Sequence, residues 1–314
     1  MKILRWLFCV VPFLLLLGCG GKESGSGKTP EKEADLSDAL ALLPGNAIAV
    51  GTVDGRAFFG SKTFGADLAK LGEKYMPLGQ EAGFQASRDV DRVTWASYSY
   101  SGIDVAAIVI GKFDEAKIKQ VAATHTPTKG GGVLVASQYA GRDVYTMNNV
   151  GFSLLTPTIA VVGTEAGIRR VLERIKDKRV KRDIAPWMIT TVETSGAAAA
   201  AAGDFSTQPM PPEVARQIPM AFMQNLRACR ALVTFKEPGL QLAGSLSYPD
   251  AATAETASQS VKQAANLAKW LQIIGVRLQN IQVKVEKADV QLEVGVDDAS
   301  LRQLLATLPQ WLGQ

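Results

Sequence analysis

Residues 159–175 read IAVVGTEAGIRRVLERI and combine a strand pattern, a turn and a helix pattern. The run 159–162 is apolar throughout, as in a buried strand. Thr164 follows Gly163 directly and stands where a helix N-cap is expected. The apolar residues after it recur at the spacing of one helix stripe: Ile168, Val171, Leu172 and Ile175. This stretch therefore predicts a strand that turns sharply into an amphipathic helix.

The same strand, glycine and cap pattern recurs along the chain. It is found at residues 47–54, 107–114, 159–164, 201–206, 242–247 and 292–297. Helix patterns follow most of these segments, and alternating stretches typical of strands lie between them. The order strand–helix–strand–strand–helix–strand–strand–helix thus occurs twice. We predict an α+β fold of two similar halves, each a mainly antiparallel sheet with helices packed on one face.

The repeat and the composition divide the chain into four predicted segments. These are a signal peptide (1–18), a flexible tether (19–36), a first α+β half (37–185) and a second α+β half (186–314). The six alanines at 197–202 favour a helix intrinsically. Their place in the repeat nevertheless predicts a strand, in which small side chains would let a helix approach the sheet closely.

The amino-terminal segment has the layout of a secretory signal. Lys2 and Arg5 precede the eleven apolar residues 7–17. A spanning helix needs roughly 20 apolar residues to cross about 30 Å of hydrocarbon, so this run is too short. A charged start, a short apolar middle and a small residue before a break indicate export and cleavage.

Residues 16–19 read LLGC and resemble the lipobox of bacterial lipoproteins. Leu16, Gly18 and Cys19 fit the family pattern, whereas Leu17 departs from its usual small or β-branched residue. The resemblance implies that the Cys19 sulfur receives diacylglycerol, and that acyl chains such as palmitate anchor the mature protein in a membrane. Gly20, in place of an aspartate, implies an outer-membrane destination. We therefore expect a periplasmic protein that is tethered by lipid.

Residues 24–29 read SGSGKT and invite comparison with a phosphate-binding loop. That loop requires G-x-x-x-x-G-K-[ST], which would place its first glycine at Lys22. Gly21 is one residue out of register, and no helix pattern follows Thr29 to bind the anion. A polar segment rich in glycine, serine, lysine and glutamate is typical of a flexible tether, so we expect no nucleotide. Sixteen such residues reach roughly 20–24 Å.

The composition offers little for catalysis or for cofactor and metal binding. The chain is 47% hydrophobic and 20% charged, as in an ordinary globular protein. A net charge of only +4 gives no concentrated basic field for nucleic acid. Cys9 leaves with the signal, and the lone histidine, His125, ends a predicted helix. Cys229 lies between two arginines, which would lower its pKa if both were close, but a buried thiol fits better.

One concentration of charge stands out at residues 169–182. It contains seven candidate residues for a surface that binds an anionic partner: Arg169, Arg170, Arg174, Lys178, Arg179, Lys181 and Arg182. Because the apolar stripe of the helix faces the core, we expect these residues on its outer side. They form either a solvated face or a site for a phospholipid headgroup, a lipopolysaccharide phosphate or an acidic protein.

The body also resembles poorly characterised periplasmic lipoproteins with paired α+β repeats, including the DUF3352 type. This resemblance carries no active site across and implies a non-enzymatic envelope protein. We predict a lipid-anchored protein with a binding or scaffolding role, no cofactor or metal, and a lipid or envelope protein as partner. The alternative is a periplasmic carrier or sensor that binds an apolar ligand, such as a lipid, in a groove between sheet and helices.

Overall fold

The computed structural model describes residues 35–75, 79–100, 104–128, 132–147, 150–212, 214, 221–236, 239–267 and 275–312. The predicted signal peptide, Cys19 and nearly all of the predicted tether lie outside these residues. The described chain divides into two compact units. We call them the first unit (residues 35–60 and 69–189) and the second unit (residues 61–68 and 190–312).

The first unit contains seven of the described strands. In chain order the elements are α1 (Ala39–Leu42), β1 (Ala49–Asp54), α2 (Gly55–Phe59), α3 (Gly65–Tyr75), α4 (Ala86–Asp89), β2 (Val90–Ser97), β3 (Val105–Gly111), α5 (Glu115–Thr124), β4 (Val135–Tyr139), β5 (Arg142–Met147), β6 (Val150–Thr156), β7 (Ile159–Thr164), α6 (Glu165–Lys176) and α7 (Pro186–Val192). Helices α3 and α7 each include residues of both units. The strand order is β1-β2-β3-β7-β6-β5-β4, and the described pairings are antiparallel.

The second unit contains five described strands. Its elements are β8 (Ala199–Asp204), β9 (Ala228–Phe235), β10 (Gly239–Ser247), α8 (Ala251–Leu267), β11 (Leu278–Glu286), β12 (Asp289–Asp297) and α9 (Asp298–Leu312). The strand order is β8-β9-β10-β12-β11, again with antiparallel pairing. The strand predicted in the alanine run therefore forms, as β8. Both units combine helices with antiparallel sheet, so the fold is α+β.

The turn from β7 into α6 forms as its sequence predicts. The Thr164 hydroxyl accepts a hydrogen bond from the Gly167 N–H at 3.2 Å and so caps the helix. A Cβ on Gly163 or on Gly167 would lie 2.2 or 2.1 Å from the Val105 carbonyl oxygen. Glycine at both positions therefore lets the helix and the neighbouring strand approach closely. The side chains of the predicted stripe are buried at three of four positions: Ile168, Val171 and Leu172.

Helices α5 and α6 cover opposite faces of the sheet in the first unit. Ile118 of α5 packs in one cluster with Tyr145 of β5, and Tyr145 stacks on Phe152 of β6 at 5.1 Å. Gly151 precedes Phe152 and faces the other way, because strand side chains alternate. A Cβ there would lie 3.2 Å from the Ile168 Cδ1 atom of α6. The expectation of helices on a single face is therefore wrong for this unit.

The sheet of the second unit has one apolar face. Cys229, Leu246 and Val290 lie side by side on β9, β10 and β12, and they pack in one cluster with Ala254 and Val261 of α8. Farther along this face, Val233, Leu242 and Val294 form another apolar row and are half-buried. Beyond them lie Leu240 and Val296, which are also half-buried, and Phe235, which is exposed. Among the described residues, the side chains of α8 in this cluster lie at the Leu246 end of the face.

Strand β4 stands at the end of the strand order in the first unit and is the most exposed strand there. Val135 is 52% exposed, and residues 136–138 are also exposed. The strand contains neither a charged residue nor a proline.

Among the described residues, no helix combines the length and apolar character that a membrane crossing requires.

Candidate functional site

The seven candidate cationic residues lie on α6 and on the segment that follows it. Arg169, Arg170 and Arg174 belong to the helix, which its buried apolar stripe fixes against the sheet. The other four lie between Asp177 and Asp183. The chain therefore brings all seven to one region of the first unit, but their surroundings differ.

Arg174 is buried and is not part of the outer surface that the sequence predicts. It is only 5% exposed, and its guanidinium donates to Asp183 Oδ2 at 3.0 Å. Its Nη2 atom also donates to the carbonyl oxygens of Ala41 at 3.1 Å and Lys181 at 2.9 Å. The expectation that this residue meets a partner is therefore wrong. Position 174 lies three residues after Val171, at the border of the apolar stripe, which is the sequence signal for its burial.

Arg170 is half-buried and also has a structural role. Its guanidinium forms two hydrogen bonds with the Asp104 carboxylate, one of them at 2.9 Å, and lies 4.4 Å from the centre of the Tyr98 ring. Burial raises the pKa of Tyr98 far above its ordinary value, so its hydroxyl stays protonated and donates to the Pro44 carbonyl oxygen at 3.4 Å. Arg170 thus joins α6 to Tyr98, which follows β2, and to Asp104, which precedes β3.

The remaining candidates are exposed, and Arg169 and Arg179 form ion pairs with residues close to them in sequence. Arg169 pairs with Glu165 and lies 4.7 Å from the centre of the Tyr139 ring. Arg179 pairs with Asp177 at 2.9 Å. Exposed pairs of this kind contribute only about 0.2–1 kcal/mol, so water and other ions compete with them readily.

We call residues 176–182 the basic loop. It contains five exposed cationic side chains and a single carboxylate, that of Asp177: Lys176, Lys178, Arg179, Lys181 and Arg182. Its backbone is fixed to the end of α6, because the Arg179 N–H donates to the Arg174 carbonyl at 2.8 Å and the Lys178 N–H donates to that of Ile175 at 3.1 Å. The loop therefore presents a positive surface in a defined conformation.

The basic loop lies beside the first described residues of the chain. Asp38 caps α1, since its Oδ1 atom accepts from the N–H groups of Leu40 and Ala41 at 3.2 and 3.3 Å. Its Oδ2 atom accepts from Arg182 Nε at 2.6 Å. No spacing pattern in the sequence predicts the role of Asp38, because it lies 144 positions from Arg182. The chain that follows the predicted tether is thus joined directly to the basic loop.

The two reactive side chains considered from the sequence have other roles. Burial raises the pKa of Cys229 to about 11, so the thiol is protonated at neutral pH. Its Sγ atom would lie 3.0 Å from a Cβ on Gly203. His125 ends α5 in a left-handed conformation and its N–H donates to the Ala122 carbonyl. The Cys229 thiol therefore lacks the surroundings of an activated nucleophile.

Among the described residues, no group of histidine, cysteine, aspartate or glutamate side chains is placed to hold a metal ion. A polar cleft of about 300 Å³ in the first unit is lined in part by Glu115, Arg142 and Asp143. Arg142 donates to the carbonyl oxygens of Leu154 and Leu155, and Asp143 pairs with Lys119 at 3.3 Å. These charged groups are therefore occupied by the protein itself.

The chain resembles solved structures in its fold. No protein-family model matches the sequence, and no curated protein matches it significantly, so the resemblance to the DUF3352 type stays a prediction. The chain is similar in structure to TP0453 in crystal form I, with a TM-score of 0.53 and 13% identity, over 89% of this chain and 99% of TP0453. Crystal form III gives a TM-score of 0.52 and 13% identity over 86% and 98%. At this identity the likeness concerns the fold alone.

Proposed function

We propose that this protein is a periplasmic lipoprotein, anchored through Cys19 in the outer membrane, with a binding or scaffolding role. The observation that carries the proposal is the LLGC sequence at 16–19, after a charged and then apolar segment of signal length. Several acyl chains at about 0.8 kcal/mol per buried CH₂ make such anchoring stable.

A non-enzymatic role is part of this proposal. Burial keeps the Cys229 thiol protonated at neutral pH, which does not favour covalent catalysis by this residue. The exposed groups of the candidate site are cations, which suit the binding of an anionic surface. We therefore propose that the protein acts by holding a lipid or an envelope protein at the membrane.

Mass spectrometry of the full chain expressed in a bacterium tests the anchor. The mature protein should begin at Cys19, carry acyl chains and fractionate with membranes. Cys19→Ala should abolish lipidation and release the protein, whereas the matched variant Cys229→Ala should leave both unchanged. An unmodified amino terminus, or one at another residue, would show that the anchor is wrong.

A carrier or sensor for an apolar ligand is the second candidate, and the apolar face of the second unit favours it. Leu242 and Val294 on this face are half-buried, away from the Leu246 end where the α8 side chains of the cluster lie. Native mass spectrometry of the purified full chain would reveal a lipid that accompanies it. Leu242→Gln should then lose the lipid, whereas Ser245→Gln on the opposite face should keep it. A chain without a bound lipid would argue against the carrier.

We also propose that the two units are copies of one repeated element. The order β1-β2-β3-β7-β6 in the first unit corresponds to β8-β9-β10-β12-β11 in the second. Helix α5 follows β3 and α8 follows β10, the third strand of each set, whereas α6 follows β7 and α9 follows β12, the fourth strand of each set. The hairpin β4–β5 is an addition to the first unit. A crystal structure tests the proposal, because the five paired strands of the units should superpose in this order.

A further inference from the structure

We propose that the basic loop rests on the anionic phospholipid headgroups of the same membrane that holds Cys19. The first unit would then turn a fixed face, that of α6 and residues 176–182, toward the bilayer. This inference rests on the lipid anchor proposed above and adds to it a partner and an orientation.

The predicted tether joins the body beside the basic loop. Asp38 lies 2.6 Å from Arg182 of the basic loop, and the α1 residue Ala41 accepts a hydrogen bond from Arg174. A tether of this composition and length reaches roughly 20–24 Å. An anchor at Cys19 therefore holds the region around Asp38, and the basic loop with it, near the membrane surface.

The charge of the basic loop favours an anionic surface. The loop presents five exposed cations, and its exposed ion pairs with Asp177 and Asp38 are weak enough for other anions to compete with them. Attraction between exposed charges falls off over a Debye length of about 10 Å at 0.1 M salt. The loop alone would thus bind a vesicle poorly, but the tether raises its effective concentration at the surface. A lipid anchor together with a basic patch is the combination that gives stable membrane association.

The two faces of the sheet in the first unit allow the orientation to be measured. Helix α5 covers the opposite face of the sheet from α6, as the packing of Ile118 and Ile168 shows. If the basic loop contacts the bilayer, the exposed residues of α5 should lie farther from it. Lys178 in the loop and Ala123 on α5 are both exposed and give a matched pair of positions.

The test uses the full lipidated chain with Cys229→Ala as background. A fluorophore is attached at Lys178→Cys or at Ala123→Cys, and the protein is reconstituted into vesicles of phosphatidylcholine and phosphatidylglycerol with a spin-labelled headgroup. Quenching should be stronger at 178 than at 123. The difference should disappear near 1 M salt, where the Debye length falls to about 3 Å.

Two triple variants serve as matched controls. The first variant combines Lys176→Gln, Arg179→Gln and Lys181→Gln. It should remove the difference in quenching between positions 178 and 123. The same charge change in the second unit, at the exposed Lys262, Lys284 and Lys287, should leave it intact. Circular dichroism verifies that both variants are folded.

Equal quenching at the two positions, or a difference that survives neutralisation of the loop, would overturn the orientation alone. Protein that fails to float with the vesicles would overturn the anchor, and this inference with it. The two failures are therefore distinguishable in one experiment.

Discussion

At the scale of the residue, Arg174 joins three parts of the first unit. Its guanidinium contacts the carboxylate of Asp183 and the carbonyl oxygens of Ala41 and Lys181. These groups belong to the loop after α6 and to α1, which are distant in sequence. An arginine suits this position, because its planar fork of donors satisfies several acceptors at once.

Replacement of Arg174 by alanine should lower the free energy of unfolding by about 3 kcal/mol, the low end of values for breaking buried pairs, because Asp183 is partly exposed. Arg179→Ala removes an exposed ion pair and should cost less than about 0.5 kcal/mol. Urea unfolding of the two variants measures the difference. Equal losses would mean that Arg174 is not a structural residue.

Asp89 makes stability depend on pH. The Arg88 guanidinium holds the pKa of Asp89 below its usual range, and the Gln85 N–H acts in the same direction. Because the folded pKa is depressed, the stabilisation is present above the unfolded value of about 3.9 and is lost as pH falls through the folded value. Asp89→Asn should therefore be less stable than the native chain at neutral pH.

The stability gap between the native chain and Asp89→Asn should close on acidification below about pH 4. Urea midpoints across this range measure it, with the exposed Glu255→Gln as control. A gap that is constant with pH would contradict the ion pair as its cause.

At the scale of the element, the turn from β7 into α6 depends on close approach. A side chain on Gly167 would meet the Val105 carbonyl oxygen at 2.1 Å. Gly167→Ala should therefore destabilise the protein by about 1–3 kcal/mol, although alanine favours helices. Gly295→Ala, where the nearest atom is 3.3 Å away, should cost less. Thermal unfolding compares them, and a stabilised Gly167→Ala would contradict the close approach.

Local sequence patterns predicted the strand and the helix on either side of this turn. The apolar run, Thr164 and the spaced apolar residues predicted β7 and α6, because each pattern reflects contacts within a few residues. The faces that helices cover depend on strand register across the sheet, which no local pattern contains. The burial of Arg174 likewise depends on Asp183 and Ala41, and the contact between Asp38 and Arg182 depends on long-range packing.

At the scale of the whole molecule, the sequence indicated the α+β class but not how the chain is divided. Residues 61–68 belong to the second unit although they follow β1 and α2 of the first. The Thr63 hydroxyl donates to Asp298 at 2.9 Å, and Arg302 donates to the Thr63 carbonyl oxygen at 3.1 Å. Such contacts span most of the chain and leave no trace in composition or periodicity.

The exposed strand β4 predicts association of whole molecules. Strands at the end of a sheet pair with other strands unless charge, proline or a bulge prevents it. Strand β4 has no charge or proline, whereas β11 carries Lys284 and a register shift between Gln279 and Gln282. In analytical ultracentrifugation at high protein concentration, Val135→Lys should lower the weight-average molar mass. Gln282→Lys on β11 should leave it unchanged. Equal behaviour would exclude β4 as the site of association.

The contact between Asp38 and Arg182 also has a mechanical consequence. In the anchored protein that we propose, a force on the predicted tether would act first on two contacts of the body. These are the ion pair between Asp38 and Arg182 and the hydrogen bond from Arg174 to the Ala41 carbonyl oxygen. Both would break before the buried side chains of α1 are exposed. Each residue released when these contacts break would lengthen the tether by up to about 3.3–3.6 Å. In the lipid-anchored protein that we propose, the interactions of Asp38 and Arg174 would therefore set how far the body reaches from the membrane.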